Sequence, residues 1–321
     1  MKIHLLSKKR YLGLTYQIFK LKFESQPDLL IHNVFVEPEI FEFRPVKAVS
    51  IKKLGYKKVE SMVNSVHNKS FRPDNKLMNY LPIEKASKIL YRSKSGSLCI
   101  NGSFFMFYED LKSYPYNSTE FGSRYGDPVG WFRINHIDYG FSNAKRPSIC
   151  INGNDTVDIK HVAKSKKTKH AISCGPTLIK NGRLTNNSIW KNEGFLDNVP
   201  PATLTRDLYE YKSARTGIAT YKNSNNYSLV VSESKTKGEV TGLTLSEFAK
   251  AIKLIAKVNN KQIKDCVYLD GGGCSSLSIR TKSGKVKLLN TPSGISNPKV
   301  SGSRPGEECY VGYALILFPK K

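Results

Sequence analysis

The sequence lacks several patterns that would place it in a familiar class of protein. No run approaches the ~20 apolar residues that span a bilayer, so no membrane span is expected. The six cysteines form no C-x-x-C pair and the six histidines show no metal-ligand spacing, so we expect no metal and no cofactor. The nucleotide-binding pattern G-x-x-x-x-G-K-S/T is also missing.

The N-terminus shows no secretion signal. Its short apolar patch, residues 3–6, is interrupted by His4 and followed by the basic residues 8–10. A signal peptide needs a longer apolar core and a small-residue cleavage site. We therefore expect a cytoplasmic protein, in the host cell if a phage encodes it, with reduced and mostly buried cysteines.

Acidic residues are scarce. Lys and Arg number 51 against 26 Asp and Glu, a formal net charge of +25. This excess attracts anions such as nucleic acid, acidic polymers or phosphorylated sugars. The lysines are spread along the chain, and the one dense run, residues 164–169, lacks interleaved aromatics for base stacking. Nucleic acid is thus a possible partner that the sequence does not favour.

The remaining composition predicts a globular protein. At 321 residues and 39% hydrophobic, the chain can bury a full core. Residues 1–80 are rich in aromatic and β-branched residues and predict a β-rich N-terminal extension packed on a main domain of residues 81–321. Within that domain Thr244 and Glu247 form a capping-box pattern before an apolar helical stripe. The continuous apolar character of residues 310–318 predicts a central strand buried on both faces.

Asp270 stands at the end of an apolar strand pattern, before three glycines. Such a strand fixes a carboxylate, and glycines let backbone N–H groups approach a ligand. Alone, the pattern more often forms a turn whose aspartate caps its neighbours. Asn101-Gly102 follows another apolar strand in the same way, and Arg215 precedes a third β-like stretch. Arginine matches phosphate geometry with two parallel hydrogen bonds.

Taken in order, these motifs resemble the phosphodiester glycosidase family, which has bacterial and phage members. The matching segments are INGSFF (100–105), CGPTLIKNG (174–182), RTGI (215–218), GLTLSEFA (242–249), LDGGGCSS (269–276) and a last strand near 310–317. Each segment is weak alone, but six in family order make chance unlikely.

The resemblance implies an α+β fold: a mixed sheet core with flanking helices and a deep polar cleft. It also implies hydrolysis of the bond between a sugar's anomeric carbon and a phosphodiester oxygen, with an anionic phosphosugar or glycan phosphate as substrate. Asp270 becomes the candidate catalytic carboxylate, its pKa lowered by a facing arginine, and Glu233 a second catalytic candidate. The substrate-binding candidates are Asn101, Gly102, Arg215, Thr216, Gly271, Gly272, Ser275 and Arg304, the two arginines serving the phosphate.

The chain also departs from the family pattern. Cys274 stands where a serine is usual, and Glu233-Ser234 where Asp-Gly is common. Two alternatives therefore stay open. One is a non-catalytic phosphosugar- or nucleotide-binding module, which turnover of a phosphosugar diester would exclude. The other is a basic phage or viral protein that binds nucleic acid or a host component, for which salt-dependent DNA binding would be the evidence.

Overall fold

A computed structural model describes most of the chain. The described residues are 1–11, 14–47, 81–82, 84–103, 105–107, 125–128, 131–139, 146–161, 167–193, 195, 210–234, 241–293, 308, 310–311 and 313–320.

An eight-stranded sheet, called the large sheet below, forms the centre of the molecule. In spatial order its strands are β1 Lys2–Tyr11, β2 Leu14–Lys22, β3 Leu29–Val36, β18 Tyr227–Ser232, β17 Arg215–Tyr221, β19 Ile263–Tyr268, β15 Thr177–Lys180 and β16 Arg183–Leu184. Strands β17 and β18 are buried along their whole length. Such burial requires apolar or internally bonded side chains on both faces of each strand.

Two five-stranded sheets pack against the large sheet. The second sheet contains, in spatial order, β21 Val286–Leu288, β20 Leu277–Arg280, β7 Leu98–Asn101, β23 Tyr313–Pro319 and β4 Phe41–Lys47. The third sheet contains β11 Ile137–Tyr139, β10 Phe132–Ile134, β14 Thr168–Ser173, β12 Ser148–Asn152 and β13 Val157–Lys160. Short pairings complete the strands: β22 Tyr310–Val311 with β6 Glu84–Lys85, and β5 Leu81–Pro82 with β9 Tyr125–Pro128 and β8 Phe105–Phe107.

Helices are few among the described residues. They are α1 Ala86–Tyr91, α2 Asn187–Asn192 and α3 Leu245–Val258, with one 3-10 turn at Gly272–Cys274. None of the described helices is long and apolar enough to cross a membrane. Helix α3 begins at the predicted capping box: the Glu247 amide donates to Thr244 Oγ1 at 3.1 Å, and the Thr244 amide donates to Glu247 Oε2 at 2.9 Å.

The core lies on both faces of the large sheet. On one face, Ile218, Leu229 and Val267 pack with residues of the second and third sheets, such as Ile100 and Ile172. On the other face the large sheet packs against the apolar side of α3. Helix α1 covers the outer face of the second sheet.

The predicted α+β fold with a mixed sheet core and flanking helices is wrong. Every described strand pairing is antiparallel, and strands far outnumber helices. The error has a physical origin. Because the large sheet is covered on both faces, its inner strands are as continuously apolar as the strands of a helix-flanked sheet.

Several local predictions are confirmed. Strand β23 lies between β7 and β4, and six of its seven residues are buried. The five described cysteines are buried reduced thiols. The predicted N-terminal extension stays a prediction; strands β1 to β3 belong to the large sheet through the pairing of β3 with β18. The division of the chain at residue 80 stays a prediction, since residues 48–80 lie outside the described part.

Candidate active site

The loop that carries Asp270 lies between the ends of three strands. After β19, the Leu269 amide donates to Thr216 O of β17 at 2.9 Å, and the Asp270 amide donates to Gly102 O beyond β7 at 3.4 Å. This loop therefore bridges the large and second sheets. Backbone bonds from neighbouring elements, rather than the loop itself, set the position of the aspartate.

Asn101 uses its whole hydrogen-bonding capacity at this junction. Its Nδ2 donates to Asp270 O at 2.8 Å and to Gly102 O at 3.1 Å. Its Oδ1 accepts from Thr216 Oγ1 at 2.9 Å and from the Ser276 amide at 3.1 Å. An asparagine side chain has two donors and one oxygen with two lone pairs, so all four are used. Both Asn101 and Thr216 are fully buried, and the contacts make Asn101 a residue that holds the Asp270 backbone in place.

The glycines are required by close packing. A Cβ on Gly271 would lie 1.8 Å from the Tyr268 hydroxyl, and one on Gly102 would lie 2.6 Å from Tyr313 O. Gly272 has a φ of +59°, in the left-handed region that favours glycine. At Gly271 and Gly102 no larger residue fits without movement of a neighbour.

Arg215 is buried and bound within the protein. Its Nε donates to Leu243 O at 2.8 Å, its Nη2 donates to Tyr211 O, and its Nη1 donates to the Tyr268 hydroxyl at 3.0 Å. That hydroxyl is the group packed against Gly271. Burial raises the pKa of Tyr268, while Arg215 lowers it and Asp270 raises it. The Tyr268 hydroxyl thus connects Arg215 with the glycine loop that carries Asp270, although Arg215 and Asp270 are 55 positions apart.

Asp270 is half-buried. Burial raises its pKa to about 6, against the lowering effects of hydrogen bonds from the Cys274 thiol and the Gly271 amide. The amide donates to Asp270 Oδ1 at 2.9 Å. The expected lowering of this pKa by a facing arginine is not found: burial raises the pKa, and the lowering effects come from the Cys274 thiol and the Gly271 amide.

Glu233 lies at the same end of the large sheet. It follows β18, whose Ser232 pairs with Arg215 of β17. Its Oε1 accepts from the Thr291 amide at 2.7 Å and contacts His32 Nε2 at 2.9 Å. The residue before Thr291, Asn290, donates to Ser275 O in the glycine loop at 3.0 Å. One short segment therefore connects the surroundings of the two candidate carboxylates.

Of the other predicted residues, the structure describes Ser275 but not Arg304. Ser275 is buried, and its hydroxyl has no hydrogen-bond partner among the described residues. Arg304 lies outside the described residues, so its assignment to the phosphate stays a prediction. Within the described part of the chain, no group of His, Cys, Asp and Glu could hold a metal ion.

Sequence reasoning missed Tyr268, His32 and Asn290. Their roles depend on partners far away in sequence, which local patterns do not reveal. For His32 a signal was present: His32-Asn33 is a polar pair inside the apolar strand LLIHNVFV. A buried polar pair in such a strand must find partners, and these mark a site or a structural network.

Comparisons with known proteins agree with this architecture. This chain has a TM-score of 0.59 and 13% identity to the crystal structure of a hypothetical protein from Synechocystis, covering 96% of this chain but 62% of that one. It has a TM-score of 0.58 and 16% identity to the catalytic domain of zebrafish N-acetylglucosamine-1-phosphodiester alpha-N-acetylglucosaminidase, auto-inhibited by its pro-peptide. That alignment covers 100% of this chain and 88% of the zebrafish chain. At such identities the likeness shows the fold.

The sequence itself carries the family assignment. A search of curated proteins gives no match. The family model described as phosphodiester glycosidase matches residues 101–311, which is more than half of the chain. The chain therefore belongs to the phosphodiester glycosidase family.

Proposed function

We propose that this protein hydrolyses a glycosyl phosphodiester, with Asp270 as the carboxylate of the reaction. The observation that carries the proposal is a half-buried carboxylate, anchored at the meeting point of three strands, in a member of this family. Its pKa of about 6 leaves it mostly ionised at neutral pH. A buried carboxylate of this kind can accept a proton from water or stabilise positive charge at an anomeric carbon.

The chemistry places modest demands on acid catalysis. The departing phosphate monoester is already stable at neutral pH, so the enzyme needs less protonation of the leaving group than an ordinary glycosidase. The main requirements are a carboxylate near the anomeric centre and hydrogen-bond donors around the phosphate. Asp270 is our candidate for the first requirement, with Glu233 as the second carboxylate.

The contacts of Arg215 favour a supporting role for this residue. Phosphate binding by Arg215 would require it to exchange bonds to Leu243 O and the Tyr268 hydroxyl. We propose instead that it orients the Tyr268 hydroxyl beside Gly271. Arg304, as predicted from the motif, is then our candidate for contacts with the phosphate, since the Ser275 hydroxyl is buried.

A panel of sugar phosphodiesters tests the proposal. We expect the wild type to release a phosphate monoester from at least one of them, and Asp270→Asn to lose roughly a hundredfold or more in kcat. Thermal melts check that the variant is folded, and Asp158→Asn, which changes another half-buried aspartate in the third sheet, serves as the matched control. Equal turnover by folded Asp270→Asn would remove Asp270 from the mechanism.

The same panel separates catalysis from binding. If calorimetry detects binding of a phosphosugar and no diester is cleaved, the protein is a binding module. If neither occurs and DNA binds with a steep salt dependence, the nucleic-acid alternative holds.

A further inference from the structure

A buried cluster contributed by the N-terminal strands lies against Glu233. The hydroxyl of Tyr16, in β2, lies 2.7 Å from His32 Nδ1, in β3, and 3.2 Å from Leu289 O. His32 Nε2 lies 2.9 Å from Glu233 Oε1, which also accepts from the Thr291 amide at 2.7 Å. His32 is 2% exposed, so the polar atoms of its imidazole depend on these partners.

The donors and acceptors in this cluster can be assigned from the hydrogen-bonding capacity of each group. An ionised carboxylate and a backbone carbonyl only accept, so His32 Nε2 must donate to an ionised Glu233. The Tyr16 hydroxyl has one proton. If that proton goes to Leu289 O, the phenol oxygen accepts from Nδ1–H and the imidazole is charged. If it goes to Nδ1, the imidazole is neutral. In both arrangements Nε2–H faces Glu233.

This arrangement fixes one oxygen of Glu233 and leaves the other for a ligand. Among the described residues, both hydrogen bonds to the carboxylate go to Oε1. The Glu233 side chain is 17% exposed, so a bound molecule can reach it. The rings of Tyr16 and His32 stack, with centroids 6.0 Å apart and an interplanar angle of 9°. This stacking restrains the imidazole that contacts Oε1.

We propose that His32 is a positioning residue that holds the Glu233 carboxylate at the candidate site, with Tyr16 setting the orientation of the imidazole. Both residues precede the segment 101–311 that the family model matches, so the N-terminal strands complete the site. Only the expected effect of His32 on the reaction rate rests on the proposed hydrolysis.

Amide exchange tests the positioning without any substrate. Thr291 is exposed, so protection of its amide depends on the bond to Glu233. We expect His32→Leu to speed exchange of the Thr291 amide, measured by NMR, by about tenfold, since a loosened acceptor breaks that bond more often. His170→Leu is the matched control: His170 is equally buried, in the third sheet, and its Nδ1 accepts from the Asn135 amide. This variant should leave Thr291 unchanged.

Kinetic measurements with a diester that the wild type cleaves test the effect of His32 on catalysis. Misplacing a reacting group by about an ångström can cost up to a hundredfold, so we expect His32→Leu to lower kcat about tenfold or more with little change in KM. His32→Gln, which keeps a donor, should recover part of the rate. The double variant His32→Leu/Glu233→Gln should be no slower than Glu233→Gln alone, because His32 acts through Glu233.

These outcomes test the positioning role of His32 separately from the proposed hydrolysis. Unchanged Thr291 exchange in folded His32→Leu overturns it, as do additive rate losses in the double variant. If the wild type cleaves no diester, the proposed function fails while Thr291 exchange still decides the positioning. If His32→Leu does not fold, Tyr16→Phe takes its place: faster Thr291 exchange supports the proposal and unchanged exchange contradicts it.

Discussion

At the scale of single residues, burial of the Asp270 carboxylate carries an energetic cost. Its carboxylate is kept partly out of water, and its pKa rises from 3.8 to about 6 as a result. In the unfolded chain the group ionises freely. The folded protein therefore binds the Asp270 proton more tightly, and ionising this group opposes folding.

This cost predicts that Asp270→Asn stabilises the protein at high pH. The penalty is absent below about pH 4, grows as pH rises towards 6 and is complete above that value. A pKa difference of this size corresponds to roughly 3 kcal/mol. We expect Asp270→Asn to have a higher free energy of unfolding at pH 8, by about 1–3 kcal/mol, and the same value as wild type near pH 4. Denaturant melts at both pH values measure the difference, and equal stability at pH 8 would show that the carboxylate is well hydrated.

Gly271 gives a second prediction at this scale. A Cβ at this position would lie 1.8 Å from the Tyr268 hydroxyl. Gly271→Ala must displace that hydroxyl from Arg215, and we expect a loss of about 1–3 kcal/mol in the free energy of unfolding, typical of overpacking. Gly153→Ala is the control, because its added Cβ would meet nothing within 4 Å. Chemical denaturation compares the two, and equal stabilities would mean that the loop adjusts freely.

At the scale of elements, helix α3 is well predicted because its signal is local. Thr244 and Glu247 bond reciprocally, and Phe248, Ile252 and Ile255 form the buried stripe. Strand pairing is different, because a run such as β17 looks the same in an antiparallel sandwich and in a helix-flanked sheet. The choice between them depends on partners such as β18 and β19, which no local pattern specifies.

The cap of α3 can be tested directly. Thr244→Ala removes the acceptor for the Glu247 amide, and we expect a loss of about 1 kcal/mol. Ser246→Ala changes an exposed residue of the same first turn and should have little effect. Thermal melts of both variants measure the difference. A cost at Ser246 equal to that at Thr244 would contradict a specific role for the capping box.

At the scale of the whole molecule, the order of motifs predicted the family, and the family model confirms it. Asn101, Thr216 and Asp270 meet at one junction because β7 and β19 end there and β17 begins there. The motifs could not predict that the side chains of Asn101 and Arg215 form their hydrogen bonds with other groups of the protein. Nor could they predict His32, whose partner Glu233 lies 201 positions away. The internal hydrogen bonds of Asn101 and Arg215 and the contact of His32 all depend on partners that are distant in sequence.

The pH dependence of kcat/KM on a cleaved diester tests the central claim most directly. If ionised Asp270 is the catalytic carboxylate, kcat/KM should rise about tenfold per pH unit below an apparent pKa of about 6 and level off above it. The residual activity of Asp270→Asn should lack this rise. A wild-type rate that falls as pH increases through 6, or a rise that persists in Asp270→Asn, would contradict the assignment.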